Sequence, residues 1–114
     1  MIVRLPSKRP TRCRAVINGN LVFFFAVAQN KVASMYEQTR LALADADATL
    51  AEAGTDKSRI LTAMVYVSDM KQKEEMNRAW DEWVARDNPP MRACIGVALE
   101  GQDLVEILVT AKLP

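Results

Sequence analysis

Apolar positions along this chain fall into six short runs and two longer periodic stretches. Met1 to Leu5 alternates weakly and predicts a short strand. Pro6 and Pro10 break the following stretch into a loop. Cys13 to Ile17 leads into Asn18-Gly19-Asn20, and Asn-Gly between apolar runs predicts a hairpin because both residues tolerate positive φ. Leu21 to Val27 is the return strand. Its three consecutive phenylalanines, Phe23 to Phe25, place aromatic rings on both faces, so both faces require a cover.

Ser34 to Ala53 is the clearest helix. Ser34 and Glu37 have the spacing of a capping box. Tyr36, Thr39, Leu43, Ala46, Leu50 and Ala53 recur at three and four, giving one apolar stripe, and Gly54 is placed to stop it. Asp56-Lys57-Ser58 reads as a turn and Ile60 to Val67 as a strand. Asp69 caps a second helix, with Gln72 three residues on, running to about Ala85 with Met76, Trp80, Trp83 and Val84 inward. Pro89-Pro90 ends that region. Arg92 to Leu99 and Leu104 to Lys112 are two further strands joined by a turn at Glu100-Gly101-Gln102-Asp103.

The resulting order, β-β-β-α-β-α-β-β, predicts an α+β fold: one mixed sheet with two helices packed on one face. No helix remains for the other face, so a second copy of the chain is the expected cover, in a closed oligomer. The 114 residues suffice for one domain, 1–114, and one core.

Composition then removes whole classes of chemistry. There is no histidine, which excludes Ser-His-Asp and Cys-His pairs and the zincin motifs. Two cysteines, Cys13 and Cys94, can build neither a four-cysteine metal site nor a disulfide framework; reduced thiols fit a cytoplasmic protein. No apolar run approaches the ~18 residues of a membrane span. Arg4, Lys8, Arg9, Arg12 and Arg14 fall within the first 14 residues without an acid, yet the whole chain has a formal net charge of only +1. That balance, with no aromatics interleaved among the basic residues, disfavours nucleic acid as a partner.

Two charged residues stand inside otherwise apolar strands: Arg92 before Ala93-Cys94-Ile95, and Glu106 within Leu104 to Val109. A buried charge is expensive unless paired. One reading is an internal Arg92–Glu106 ion pair. The other is a site in which Arg92 grips a ligand carboxylate through its planar fork and Glu106 handles a water or proton. Cys94 reads as a small apolar residue, since no base accompanies it. Asn77 reads as a helix-face residue and Trp80 as core.

Beyond these readings, the chain resembles the RidA family, also called the YjgF family, of reactive-intermediate deaminases, whose older descriptions include translation inhibitor and endoribonuclease. Gln38-Thr39-Arg40 with Leu50-Ala51-Glu52-Ala53-Gly54 carry the likeness in the first helix. Val65-Tyr66-Val67-Ser68-Asp69-Met70 and Met76-Asn77 carry it in the middle of the chain, and Pro90-Met91-Arg92-Ala93-Cys94 with Val105-Glu106-Ile107 carry it at the end. The resemblance implies a chorismate-mutase-like fold, a homotrimer with clefts between subunits, and cofactor-free hydrolysis of imine and enamine acids such as 2-aminoacrylate to a 2-keto acid and ammonia. It implies Arg92 as the carboxylate-binding arginine and Cys94 as the residue whose backbone faces the substrate nitrogen and water. It also implies Glu106 as the water-positioning glutamate and Asn77 as a substrate-side asparagine. The family's glycine-proline-tyrosine stretch is replaced here by Arg12-Cys13-Arg14, and its serine-glycine-glutamine by Phe25 to Ala28. The alternative function is a trimeric small-carboxylate-binding or regulatory protein using the same cleft without catalysis.

Overall fold

The computed structural model describes residues 1–31 and 34–114. Six strands, β1 (Ile2–Pro6), β2 (Cys13–Asn18), β3 (Leu21–Ala26), β4 (Ile60–Val67), β5 (Met91–Gly96) and β6 (Val105–Lys112), form one mixed sheet with two helices, α1 (Met35–Ala53) and α2 (Lys73–Trp83). The sheet order is β1-β2-β3-β6-β4-β5, so β1 and β5 are the two edges. Among the described residues only β4 and β5 pair in parallel, with α2 as the crossover between them. The α+β architecture expected from the sequence is therefore the one observed.

Local chemistry explains the elements. β2 and β3 close through Gly19-Asn20, with Asn18 opposite Leu21. Gly19 takes φ +63° and no described non-glycine residue has positive φ, so the turn requires glycine only at its first central position. Ser34 Oγ accepts the Glu37 N–H at 3.3 Å. The reciprocal half of the capping box is absent, because the Glu37 carboxylate turns outward to Arg40. At the other end of α1, Gly54 bonds to the Ala51 carbonyl and Thr55 N–H to the Leu50 carbonyl, the paired bonds of a Schellman stop with Gly54 in the left-handed region.

The structure moves several boundaries. Asp69 accepts the Lys71 N–H and so caps a 3-10 turn at Met70–Gln72; α2 proper begins at Lys73 and ends at Trp83, because Val84 is extended. β5 stops at Gly96, where an added Cβ would run into the Met70 side chain. Tyr36 is only half-buried: its hydroxyl donates to Glu82 of α2 and the Arg78 guanidinium stacks on its ring. Met35 takes the inward place, with Gln38 and Thr49 also buried.

The core lies between the helices and one face of the sheet. Val22, Phe24, Ala26, Val65, Val67, Ile107 and Val109 meet Met35, Leu43, Leu50, Met76 and Trp80 there. On the other face of the same strands, Phe23 and Phe25 are each 40% exposed and Leu108 is 50% exposed.

Candidate functional site

Arg92 lies on β5 opposite Ala63 of β4, which is buried on the helix side. Its side chain therefore turns toward α2. One guanidinium nitrogen, Nη2, donates to Asn77 Oδ1 at 2.8 Å, and Nη1 lies 3.6 Å from Met76 Sδ. The guanidinium carbon stands 5.2 Å from the centre of the Trp80 ring, within range of a cation–π contact. Asn77 Nδ2 in turn donates to Glu74 Oε1 at 3.2 Å. One helical face, presenting Glu74, Asn77 and Trp80 at three-residue intervals, thus fixes where the fork points. Arg92 remains half-exposed and forms no ion pair among the described residues. Nε and the remaining N–H groups stay available for a planar anion.

Glu106 lies elsewhere. It sits opposite Tyr66, between buried Val105 and Ile107, and so points to the face away from the helices. The internal Arg92–Glu106 ion pair is not formed: the two side chains occupy opposite faces of the sheet, with β4 between their strands. Within one chain the structure brings Arg92 and Asn77 together, and leaves Glu106 apart from both.

Cys94 is a half-buried free thiol, packed against the core on the same face as Arg92. Because β5 is an edge strand, part of its main chain has no sheet partner. Thr62, Met64, Met91, Ala93, Leu108 and Thr110 of the open face border a groove of about 470 Å³ whose rim at the β5 edge also includes Ala63 and Arg92, and Glu106 stands on the open face two positions along from Leu108. Asn77 differs from its sequence-based expectation in one respect: its carbonyl oxygen is spent on Arg92 rather than turned outward. The Trp80 contact with Arg92 was missed, because a tryptophan on an apolar stripe carries no mark of what crosses its ring.

Among the described residues, no three His, Cys, Asp or Glu side chains gather as metal ligands, and no helix is long and apolar enough to cross a membrane. A second polar group sits off the Arg92 region. Asp45 of α1 accepts from Val27 N–H (3.4 Å) and Gln29 Nε2 (3.1 Å), yet its partial burial still holds its carboxyl above the usual aspartate value.

Comparison with known proteins decides the lineage of this arrangement. The family model described as Endoribonuclease L-PSP matches residues 11–113, which includes every residue named above as part of the site. The chain belongs to the RidA/YjgF family. A RutC family protein of Haemophilus ducreyi is 45% identical over 114 residues, covering 99% of this chain and 97% of the relative. The RutC family protein YoaB of Escherichia coli is 36% identical over 97 residues, covering 84% of this chain and 85% of the relative. Among solved structures, a YjgF family member from Neisseria meningitidis superposes with a TM-score of 0.95 at 37% identity, covering 100% of this chain and 96% of that one. The RidA/YjgF fold is thus this chain's fold.

Proposed function

We propose that the protein hydrolyses imine and enamine acids of the 2-iminopropionate and 2-aminoacrylate type to 2-keto acids and ammonia. One observation carries the reading: a half-exposed arginine, oriented by Asn77 and Trp80, meets no carboxylate among the described residues. An arginine so held is a receptor for a substrate carboxylate.

The chemistry asks little more than placement. Water oxygen bonds to the imine carbon while the C=N electron pair moves to nitrogen, which takes one of the water's protons. In the tetrahedral amino-alcohol the remaining hydroxyl proton passes to nitrogen as the C–N bond breaks and C=O forms, releasing ammonia and leaving the 2-keto acid. Such substrates already hydrolyse in water, so orientation and charge placement suffice. In this reading Arg92 offsets the carboxylate charge, while the exposed Cys94 main chain and Glu106 orient the water. No thiol, imidazole or cofactor enters.

The same proposal includes a homotrimer with its sites between subunits. Its support is the open sheet face: Phe23, Phe25 and Leu108 are exposed there on strands whose other face is filled. A patch of that kind marks an interaction surface. An interface is also what would set a Glu106 beside an Arg92, since the sheet separates the two within a chain. The two free thiols, Cys13 and Cys94, agree with a reducing, cytoplasmic setting. A second reading, carboxylate binding without turnover, is favoured by that same separation.

The test generates iminopyruvate-type acids in situ from a panel of amino acids with an amino-acid oxidase and follows keto-acid and ammonia release. The wild type is expected to accelerate release. Arg92→Ala and Arg92→Lys are expected to lose about 10²–10³-fold, as for removal of a transition-state donor, with an unchanged melting temperature. Trimers mixed from Arg92→Ala and Glu106→Ala chains should regain part of the activity. Binding of pyruvate by a folded trimer that accelerates nothing would establish the second reading instead.

A further inference from the structure

The loop between β1 and β2 carries a feature outside the contacts that Arg92 makes within its own chain. Charge is segregated along the chain. Six of the 15 basic residues and none of the 14 acidic ones lie in residues 1–31, so this stretch carries +6 and the remainder −5. The fold concentrates three of those charges further. Arg4, Arg9 and Arg12 line one concavity of about 490 Å³, together with Ser7, Thr11 and Cys13. None of the three arginines forms an ion pair among the described residues.

The loop is also built. Ser7 Oγ accepts the Arg9 N–H at 3.1 Å and donates to the Arg12 carbonyl at 2.8 Å, so one hydroxyl fixes the spacing of two of the arginines. Arg14 behaves differently from its neighbours. Its Nε donates to the Pro6 carbonyl at 2.8 Å, and its two terminal nitrogens meet the Glu52 carboxylate at 2.8 and 3.1 Å. Arg14 thereby ties the foot of the loop to α1, and the other three are left facing solvent.

From this arrangement we propose that the β1–β2 loop binds a small phosphate ester or pyrophosphate through its phosphoryl oxygens. Three guanidinium groups around one hollow exceed what a carboxylate can use, since its two oxygens are satisfied by one fork; a phosphoryl group offers three oxygens and up to two charges. The volume lies in the range of small-ligand sites rather than of a lone ion. No aromatic residue lines it, so it has no platform on which a nucleic-acid base could stack. Within one chain β1 lies at the opposite edge of the sheet from β5 and Arg92, and the proposal does not depend on the deaminase reading.

The experiment is a calorimetric titration of the full-length protein with pyrophosphate, citrate and a short single-stranded RNA at two salt concentrations. Saturable pyrophosphate binding is expected, weakened about tenfold or more by Arg9→Ala and again by Arg12→Ala. Ser7→Ala, which keeps every charge, is expected to weaken it severalfold. Melting curves check that each loop variant folds. The proposal is overturned by absent or non-saturable pyrophosphate binding, by citrate binding equally well, by RNA binding far more tightly, or by Ser7→Ala matching the wild type.

Discussion

The two faces of the sheet use the same strands and nearly the same residue types, yet only one is covered. Along β3, Val22, Phe24 and Ala26 are buried while Phe23 and Phe25 are not; along β6, Ile107 and Val109 are buried while Leu108 is half open. The covered face is filled by α1 and α2, and its chemistry is stability. The open face pairs apolar side chains with Thr62, Glu106 and Thr110, and in the proposed function its chemistry is recognition. The proposed site borrows from both: Arg92 belongs to the covered face at the β5 edge, and Glu106 to the open one. Two residues of the proposed reaction on opposite faces of a single layer are most simply reunited by a second chain.

The largest effect should come from charging the open face. Leu108→Asp is expected to leave the circular dichroism of the chain intact while converting the proposed trimer to monomers in light scattering, with the proposed imine hydrolysis falling to the uncatalysed rate. A wild-type protein that is itself a monomer at micromolar concentration would break the contrast between the faces. On the covered face, Leu50→Ala should act in the opposite way. Leu50 is fully buried, so about 2–5 kcal/mol of stability is expected to be lost in denaturant unfolding, with unchanged turnover per folded trimer.

A smaller effect is expected at Cys94, whose main chain rather than thiol serves the proposed reaction. Cys94→Ser should keep activity within about threefold of wild type, far less than the ~10²-fold or more that loss of a catalytic group costs. Abolished turnover in a folded trimer would instead implicate the sulfur. The smallest effect concerns Asp45. Burial raises its carboxyl above the usual 3.8, so across that window the folded chain binds this proton more readily than the unfolded chain. The group's contribution to stability therefore falls as pH rises through the window. The melting temperature of Asp45→Asn relative to wild type should accordingly climb from about pH 3 and level off above the raised value. A difference that stays flat with pH would show the carboxyl to be unperturbed.

Much of this molecule was legible before folding. Ser34 and Gly54 bracket α1 because a hydroxyl and a left-handed glycine each satisfy main-chain groups within a few residues. Gly19 closes the β2–β3 hairpin for an equally local reason. In β6 the burial alternates strictly from Val105 to Ala111, but Leu108 breaks that alternation in the sequence, so its outward half carries an apolar residue beside Glu106 and Thr110. Apolar residues on both faces of β3, with two α-helices legible in the sequence, announced an uncovered side. The family signature around Arg92 and Glu106 was also readable as residue types. What the sequence did not contain was their relation. Whether Arg92 and Glu106 share a face depends on the register of β5 on β4 and of β4 on β6, and register is fixed by hydrogen bonds between segments dozens of residues apart. The partnership of Arg92 with Asn77 and Trp80, and the hollow that gathers Arg4, Arg9 and Arg12, arise in the same way. Local sequence sets where an element begins and ends, while the side chains that meet across elements are chosen by the packing of the whole sheet and its helices.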